Sequence, residues 1–255
     1  MPRNLKLTLA YDGHDFAGWQ VQPDRLSVQG TLVSAFEHLT GEKTLPQGSG
    51  RTDAGVHALA QIATVLTDSP IPVDNLVRAL NDVLPRSIRV LAAEEMPPEF
   101  HARRSAIAKT YRYHIYRGAI CSPFQARYVY HHPYPLDESR MIEAAALVEG
   151  EHDFTSFAAV DPERGKDRSK EPLEPSNVRT IFQSHWQRHA DELVYTVRGN
   201  GFLHHMVRNL VGTFLMVGKG SLTVADVRRI LELRDRSAAA ATAPASGLFL
   251  VNVEY

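Results

Sequence analysis

The stretch Gly48-Ser49-Gly50-Arg51-Thr52-Asp53-Ala54-Gly55-Val56-His57-Ala58 separates a helical pattern from a strand pattern, and that change decides the fold class. Upstream, Val28, Leu32, Phe36 and Leu39 recur at helical spacing, and Gly41 stops the helix. Downstream, His57 to Thr67 reads as a largely buried strand. Between them, three glycines and a serine permit backbone shapes closed to other residues and let a ligand approach the main chain. Arg51 and Asp53 stand two residues apart, a spacing that can point both side chains the same way. Taken alone, Asp53 reads as a turn or cap residue. Ringed by glycine and beside an arginine, it is also a candidate site carboxylate.

The pattern extends in both directions. Leu5-Lys6-Leu7-Thr8-Leu9 alternates as a strand; Val73 to Leu84 is a helix ended by Pro85, and Ile88 to Ala93 a strand. Lys109 to Tyr116 reads as a strand, Asp137 to Glu149 as a helix with an acidic cap, and Val178 to Gln187 and Leu193 to Arg198 as strands. Phe202 to Val217 and Val224 to Leu233 read as helices, and Leu248 to Tyr255 as a last strand. This order predicts an α+β fold of two ferredoxin-like, RRM-like α/β units forming a shared, mainly antiparallel sheet with flanking helices. The boundary is expected near Phe100 to Ser105, with residues 1–104 carrying the Asp53 loop and 105–255 carrying Tyr111 and Arg208. Asp161 to Pro175, dense in charge and proline, is expected to be a flexible loop. Ser237 to Ser246 is alanine-rich and reads as a helix tail or a linker.

Composition narrows the function classes. Across 255 residues, 44% are apolar and 22% charged, ordinary values for a soluble globular protein. The longest apolar stretch, near Met206 to Val217, is interrupted by Arg208 and Asn209 and is too short and polar to cross a membrane. The N-terminus runs straight into strand pattern without a signal-peptide core. Cys121, the one cysteine, excludes an internal disulfide and a cysteine-based zinc site, and a reduced cytoplasm is the expected compartment. The formal charge of −1 argues against a uniformly basic nucleic-acid binder. Its distribution argues the other way. Arg103, Arg104, Lys109, Arg112 and Arg117 interleave with Tyr111, Tyr113 and Tyr116 and no acid, a pattern suited to phosphate contact with base stacking, or else to a charge-protected strand edge.

Arg208 lies in a helix that is apolar over most of its surface. A guanidinium there needs a carboxylate or contact with water, and Asp53 is a candidate partner that it would hold ionised. An ionised, oriented carboxylate serves as nucleophile or base. The alternative is an arginine snorkelling to the surface. His204-His205 and His131-His132 are adjacent pairs pointing in different directions on a regular element, and no His-Glu-x-x-His or cysteine-paired spacing occurs, so no metal site is expected. The glycine run lacks a Walker lysine, and the Rossmann glycine spacing is absent.

Together these segments resemble the tRNA pseudouridine synthase A family, nearly end to end. The likeness is carried by Tyr11-Asp12-Gly13 with Phe16, Gly18-Trp19-Gln20-Val21-Gln22, Ser27-Val28-Gln29-Gly30, Arg51 to His57, and Lys109-Thr110-Tyr111-Arg112-Tyr113. It continues in Phe202-Leu203, Met206-Val207-Arg208, Ala243-Pro244-Ala245 and Gly247-Leu248. Ser27 stands where threonine is more usual. The resemblance implies that Asp53 is the catalytic aspartate and that Tyr111 packs on the target base. It also implies a cofactor-independent isomerase, a homodimer gripping one tRNA, and uridines 38, 39 and 40 of the anticodon stem-loop as targets. Arg51 would help hold the flipped nucleotide, and Arg208 would keep Asp53 charged. A non-catalytic RNA-binding module and a hydrolase or nuclease are the rival readings.

Overall fold

Alternation in Arg3–Tyr11 (β1) sends Leu5, Leu7, Leu9 and Tyr11 to one face, where all four are buried. The computed structural model to which this strand belongs describes residues 2–160 and 176–255. The loop expected at Asp161 to Pro175 therefore lies outside the described residues. The chain divides into two units: Met1–Arg112 with Ser122–Val129 and Ala245–Tyr255, and Tyr113–Cys121 with Tyr130–Pro244. This partition differs from the expected 1–104 and 105–255. Two later segments return to the first unit through tertiary contacts, which leave no local pattern in a sequence.

In the first unit, β1 is followed by α1 (Val28–Thr40), the two-residue β2 (Gln47–Gly48), β3 (His57–Thr67), α2 (Val73–Val83) and β4 (Ile88–Met96). These strands lie in the order β4-β1-β3-β2, every neighbouring pair antiparallel. That is the ferredoxin-like β-α-β-β-α-β plan the element order predicted. Ser27 caps α1 by accepting from Gly30 N–H, and Gly41 closes it at φ 73. Val28, Leu32 and Phe36 of α1 and Leu76 and Leu80 of α2 are fully buried, so both helices bury one stripe. β3 carries an extra residue between Ala58 and Gln61 relative to β1, which breaks the ladder beside Tyr11.

β5 (Ala108–Tyr116) passes from the first unit into the second after Arg112. The second unit continues with β6 (Tyr130–His131), α3 (Glu138–Ala146), β7 (Gly150–Asp153), β8 (Val178–His189), β9 (Glu192–Gly199), α4 (Met206–Gly218) and α5 (Val224–Leu233). Its strands run in the order β5-β9-β8-β7, with β8 antiparallel to both β7 and β9. Trp186 and Tyr195 face each other across β8 and β9 and pack edge-on against Phe214 of α4. The buried Tyr195 hydroxyl donates to Ser184 Oγ at 2.8 Å, and Ser184 donates to Ala145 O at 2.7 Å, so this aromatic core keeps its hydroxyls paired. α4 begins at Met206, four residues later than expected, because His205 sits at φ 59, outside helical space. α3 likewise stops at Ala146, short of Glu149, and gives way to β7. The chain returns to the first unit with β10 (Leu248–Glu254), parallel to β3 through Phe249–His57 and Leu250–Ala58. Among the described residues no helix is long and apolar enough to cross a membrane.

Candidate active site

Asp53 opens a tight turn in which Val56 N–H donates to Asp53 O at 3.1 Å. Gly55, at φ 78, fills the position for which a type II turn requires positive φ. The loop between β1 and α1 clasps this turn. Trp19 N–H donates to Thr52 O at 3.0 Å, Gly55 N–H to Phe16 O at 3.3 Å, and Gly13 N–H to His57 Nδ1 at 3.1 Å. The approach leaves no room for side chains: a Cβ on Gly13 would lie 1.9 Å from Val56 O, and one on Gly18 2.6 Å from Thr52 O. From below, Tyr11 Oη and Thr52 Oγ1 are hydrogen-bonded at 2.8 Å, Gln61 donates to Gly50 O at 2.9 Å, and Ser49 donates to Gln61 Oε1 at 2.6 Å. Lys109 Nζ donates to Ser49 O at 2.6 Å. An irregular segment is thus held in one shape by paired backbone groups.

The Asp53 side chain is half-buried at this turn. Tyr111, on β5, is buried, and burial pushes its phenol well above the usual range, with Tyr11 and the Asp53 charge adding to the rise. It is a neutral phenol at physiological pH, able to donate a hydrogen bond or offer its ring but not to act as a base. Two expected site residues therefore feel each other within the first unit. Burial also raises Tyr11, to about 12, against the lowering effect of its bonds to Thr52 and Gln61. Arg51 is exposed and donates Nε to Gln20 Oε1 at 3.2 Å.

Arg208 belongs to the second unit, half-buried on α4. Its Nε donates to Ala243 O at 2.8 Å, and its own carbonyl accepts from Ala243 N–H at 3.1 Å. Tyr113 donates to Pro244 O at 2.8 Å; burial raises its phenol, and the Arg208 charge partly offsets that. Thr242 Oγ1 donates to Asn209 Oδ1 at 2.7 Å, and Gly212 has no Cβ to meet Ala241 O, which would stand 2.0 Å away. Within the segment read as a helix tail or linker, Ala240 to Ala243 form a strap laid along α4. Its alanines signal close packing, not low information.

Three further expectations are corrected. The basic and aromatic run does not form one surface: period two on β5 buries Tyr111 and Tyr113 and exposes Arg112. Arg117 points inward, donating to the carbonyls of His132 and Tyr134 (2.6 Å for the latter), with Glu138 at 3.7 Å. Arg103, Arg104 and Arg112 stay exposed. His204 and His205 precede the helix, with ring centroids 4.0 Å apart, so they do not diverge as helical neighbours would. The role of Tyr11, Gly13, Gly18, Trp19, Gln61 and His57 in shaping the Asp53 turn was missed, although all but Gln61 stand in motifs quoted above.

The comparisons with known proteins agree with one another. The family model described as tRNA pseudouridine synthase matches residues 8–103 and 144–255. A tRNA pseudouridine synthase A of Solibacter usitatus is 53% identical over 99% of this chain and 100% of its own length. Proteins of that name from Brevibacillus brevis, at 44% over 99% of this chain and 100% of their own, and Latilactobacillus sakei, at 42% over 100% of both, are similar. With the Asp53 turn intact in a chain matched almost throughout, this protein belongs to the tRNA pseudouridine synthase family.

Proposed function

We propose that this protein isomerises uridine to pseudouridine in the anticodon stem-loop of tRNA, with Asp53 as the catalytic carboxylate. One observation carries the site assignment: a half-buried aspartate on a turn locked by its neighbours, beside a buried and neutral tyrosine. The reaction detaches uracil at N1 and rejoins it through C5, so it consumes no water and changes no oxidation state. The base must first leave its stack, at a cost of a few kcal/mol, less in a loop than in a duplex. Asp53 then attacks C6 of the base or C1′ of the ribose, or removes a sugar proton. Tyr111 packs on the uracil, and its phenol is available to donate. Arg51 and Arg208 bind the substrate: Arg51 holds the displaced nucleotide, and Arg208 supplies positive charge to the bound tRNA. Uridines 38, 39 and 40 as targets, a homodimer gripping one tRNA, and action in the cytoplasm follow from the resemblance of the motifs.

The test is direct. Incubated with unmodified tRNA transcripts, the protein should convert uridines at 38–40 to pseudouridine, read by position-resolved chemical mapping, without strand cleavage. Binding without conversion would leave only an RNA-binding module, and cleavage would indicate a nuclease.

A further inference from the structure

His57 begins β3 one residue after the Asp53 turn ends, and it is 1% exposed. Both ring nitrogens are engaged. Nδ1 accepts from Gly13 N–H at 3.1 Å, and Nε2 donates to Arg127 O at 3.0 Å. Only the neutral imidazole with its proton on Nε2 makes both bonds. The ring is stacked on Phe249, with centroids 4.7 Å apart and planes at 21°, and lies 5.3 Å from Tyr128. Burial lowers its basicity, more than the nearby Asp12 raises it.

Two paths meet at this ring. On one side, Gly13 O accepts from Phe16 N–H at 3.0 Å, and Phe16 O accepts from Gly55 N–H, inside the Asp53 turn. On the other, Ser122–Val129 is bound to the β1–α1 loop: Arg127 pairs with Asp15 at 2.7 Å, and Tyr128 donates to Asp12 Oδ2 at 3.0 Å. Asp12 Oδ1 lies 3.1 Å from the same Nδ1 that accepts from Gly13. Protonation would turn Nδ1 from acceptor to donor, break the Gly13 bond and redirect the ring to Asp12.

We infer that His57 is a positioning residue: its neutral Nε2–H form, with Nδ1 left free to accept from Gly13 N–H, holds the turn that presents Asp53, and its protonation releases that turn. The inference rests on the function proposed above. The charged and titratable groups around the ring are Asp12, His14, Asp15, Arg127 and Tyr128, with Tyr11, Arg86 and Arg89 lining the adjoining cavity of about 240 Å³. Asp12 is itself held below the usual carboxylate range, by hydrogen bonds from His14 and Tyr128 and the charges of His57 and Arg127, against the burial that raises it.

Two substitutions separate the bonds. In His57→Asn the amide oxygen falls near the Nδ1 position and keeps an acceptor for Gly13; in His57→Gln the amide nitrogen falls near Nε2 and keeps only the donor to Arg127. With Asp53 presented through Gly13, kcat for tritium release from C5-labelled tRNA should fall ~100-fold in His57→Gln, as expected for a misplaced reacting group. His57→Asn should retain most of kcat and lose the acid limb of the wild-type kcat–pH profile, while KM for tRNA changes little in either. Equal kcat in both variants, or an acid limb unchanged in His57→Asn, would overturn the inference. If neither variant folds, ¹⁵N shifts of His57 in the native protein decide: an Nε2–H neutral tautomer supports it, and an imidazolium or Nδ1–H form at pH 7 overturns it. A wild-type protein that releases no tritium would instead defeat the function itself.

Discussion

The Asp53 turn and helix α4 hold Asp53 and Arg208 by opposite means. Around Asp53 the backbone is irregular and is fixed by hydrogen bonds from Trp19, Gly13 and Gln61 and by glycines that permit close approach. Around Arg208 the backbone is an ordinary helix, fixed by nearly all-round burial and by the strap that accepts from Arg208 Nε. The first arrangement sets a direction for one carboxylate. The second sets a volume, and tolerates little change in it. Damage to the turn should therefore appear in kcat before stability, and damage to α4 in stability first.

Phe214→Ala should produce the largest stability effect, ~3–5 kcal/mol in urea unfolding, since it empties the Trp186–Tyr195 cluster. If it instead left stability intact and abolished turnover, the comparison would fail. Gly18→Ala places a methyl against Thr52 O from a residue at φ 97, and should cost ~1–3 kcal/mol together with a disproportionate loss of kcat in single-turnover assays. Thr52→Val removes the acceptor of the buried Tyr11 hydroxyl and leaves it only the donor Gln61 at 3.5 Å, and should cost ~1–3 kcal/mol by the same unfolding measurement. The histidines sharpen the contrast. His132 in the second unit is buried with Nε2 unpartnered among the described residues, and burial with Lys219, Arg117 and His131 nearby lowers its pKa to about 4. The unfolded chain then binds more protons than the folded one between about pH 6.5 and 4, so stability falls as pH drops through that window. His132→Gln should flatten that fall in unfolding curves and leave unchanged the acid limb of the kcat–pH profile proposed for His57. Last and smallest, Arg112→Ala should weaken tRNA binding and reduce the slope of log K against log salt by about one; an unchanged slope would mean that Arg112 does not touch phosphate.

Local signals made much of the first unit legible. Apolar spacing and the αL-prone Gly41 mark α1, and the run His57 to Thr67 coincides with β3. The Asp53 motif was legible as a candidate site because glycine, arginine and carboxylate crowd a turn. What surrounds it was not, because Gly13 and Trp19 contact Val56 and Thr52 across some thirty to forty residues, as their numbering shows. Arg117 was misread as a surface cation for the same reason: its partners, the His132 and Tyr134 carbonyls, come from a later segment. The start of α4 was missed because nothing in Phe202 to His205 announces a positive φ at His205.

Asp53→Asn tests the account most directly. The exchange keeps the shape of the side chain and removes its charge, so the turn and the tRNA affinity should survive while tritium release from C5-labelled tRNA is abolished. Release at the wild-type rate by that variant would contradict the account.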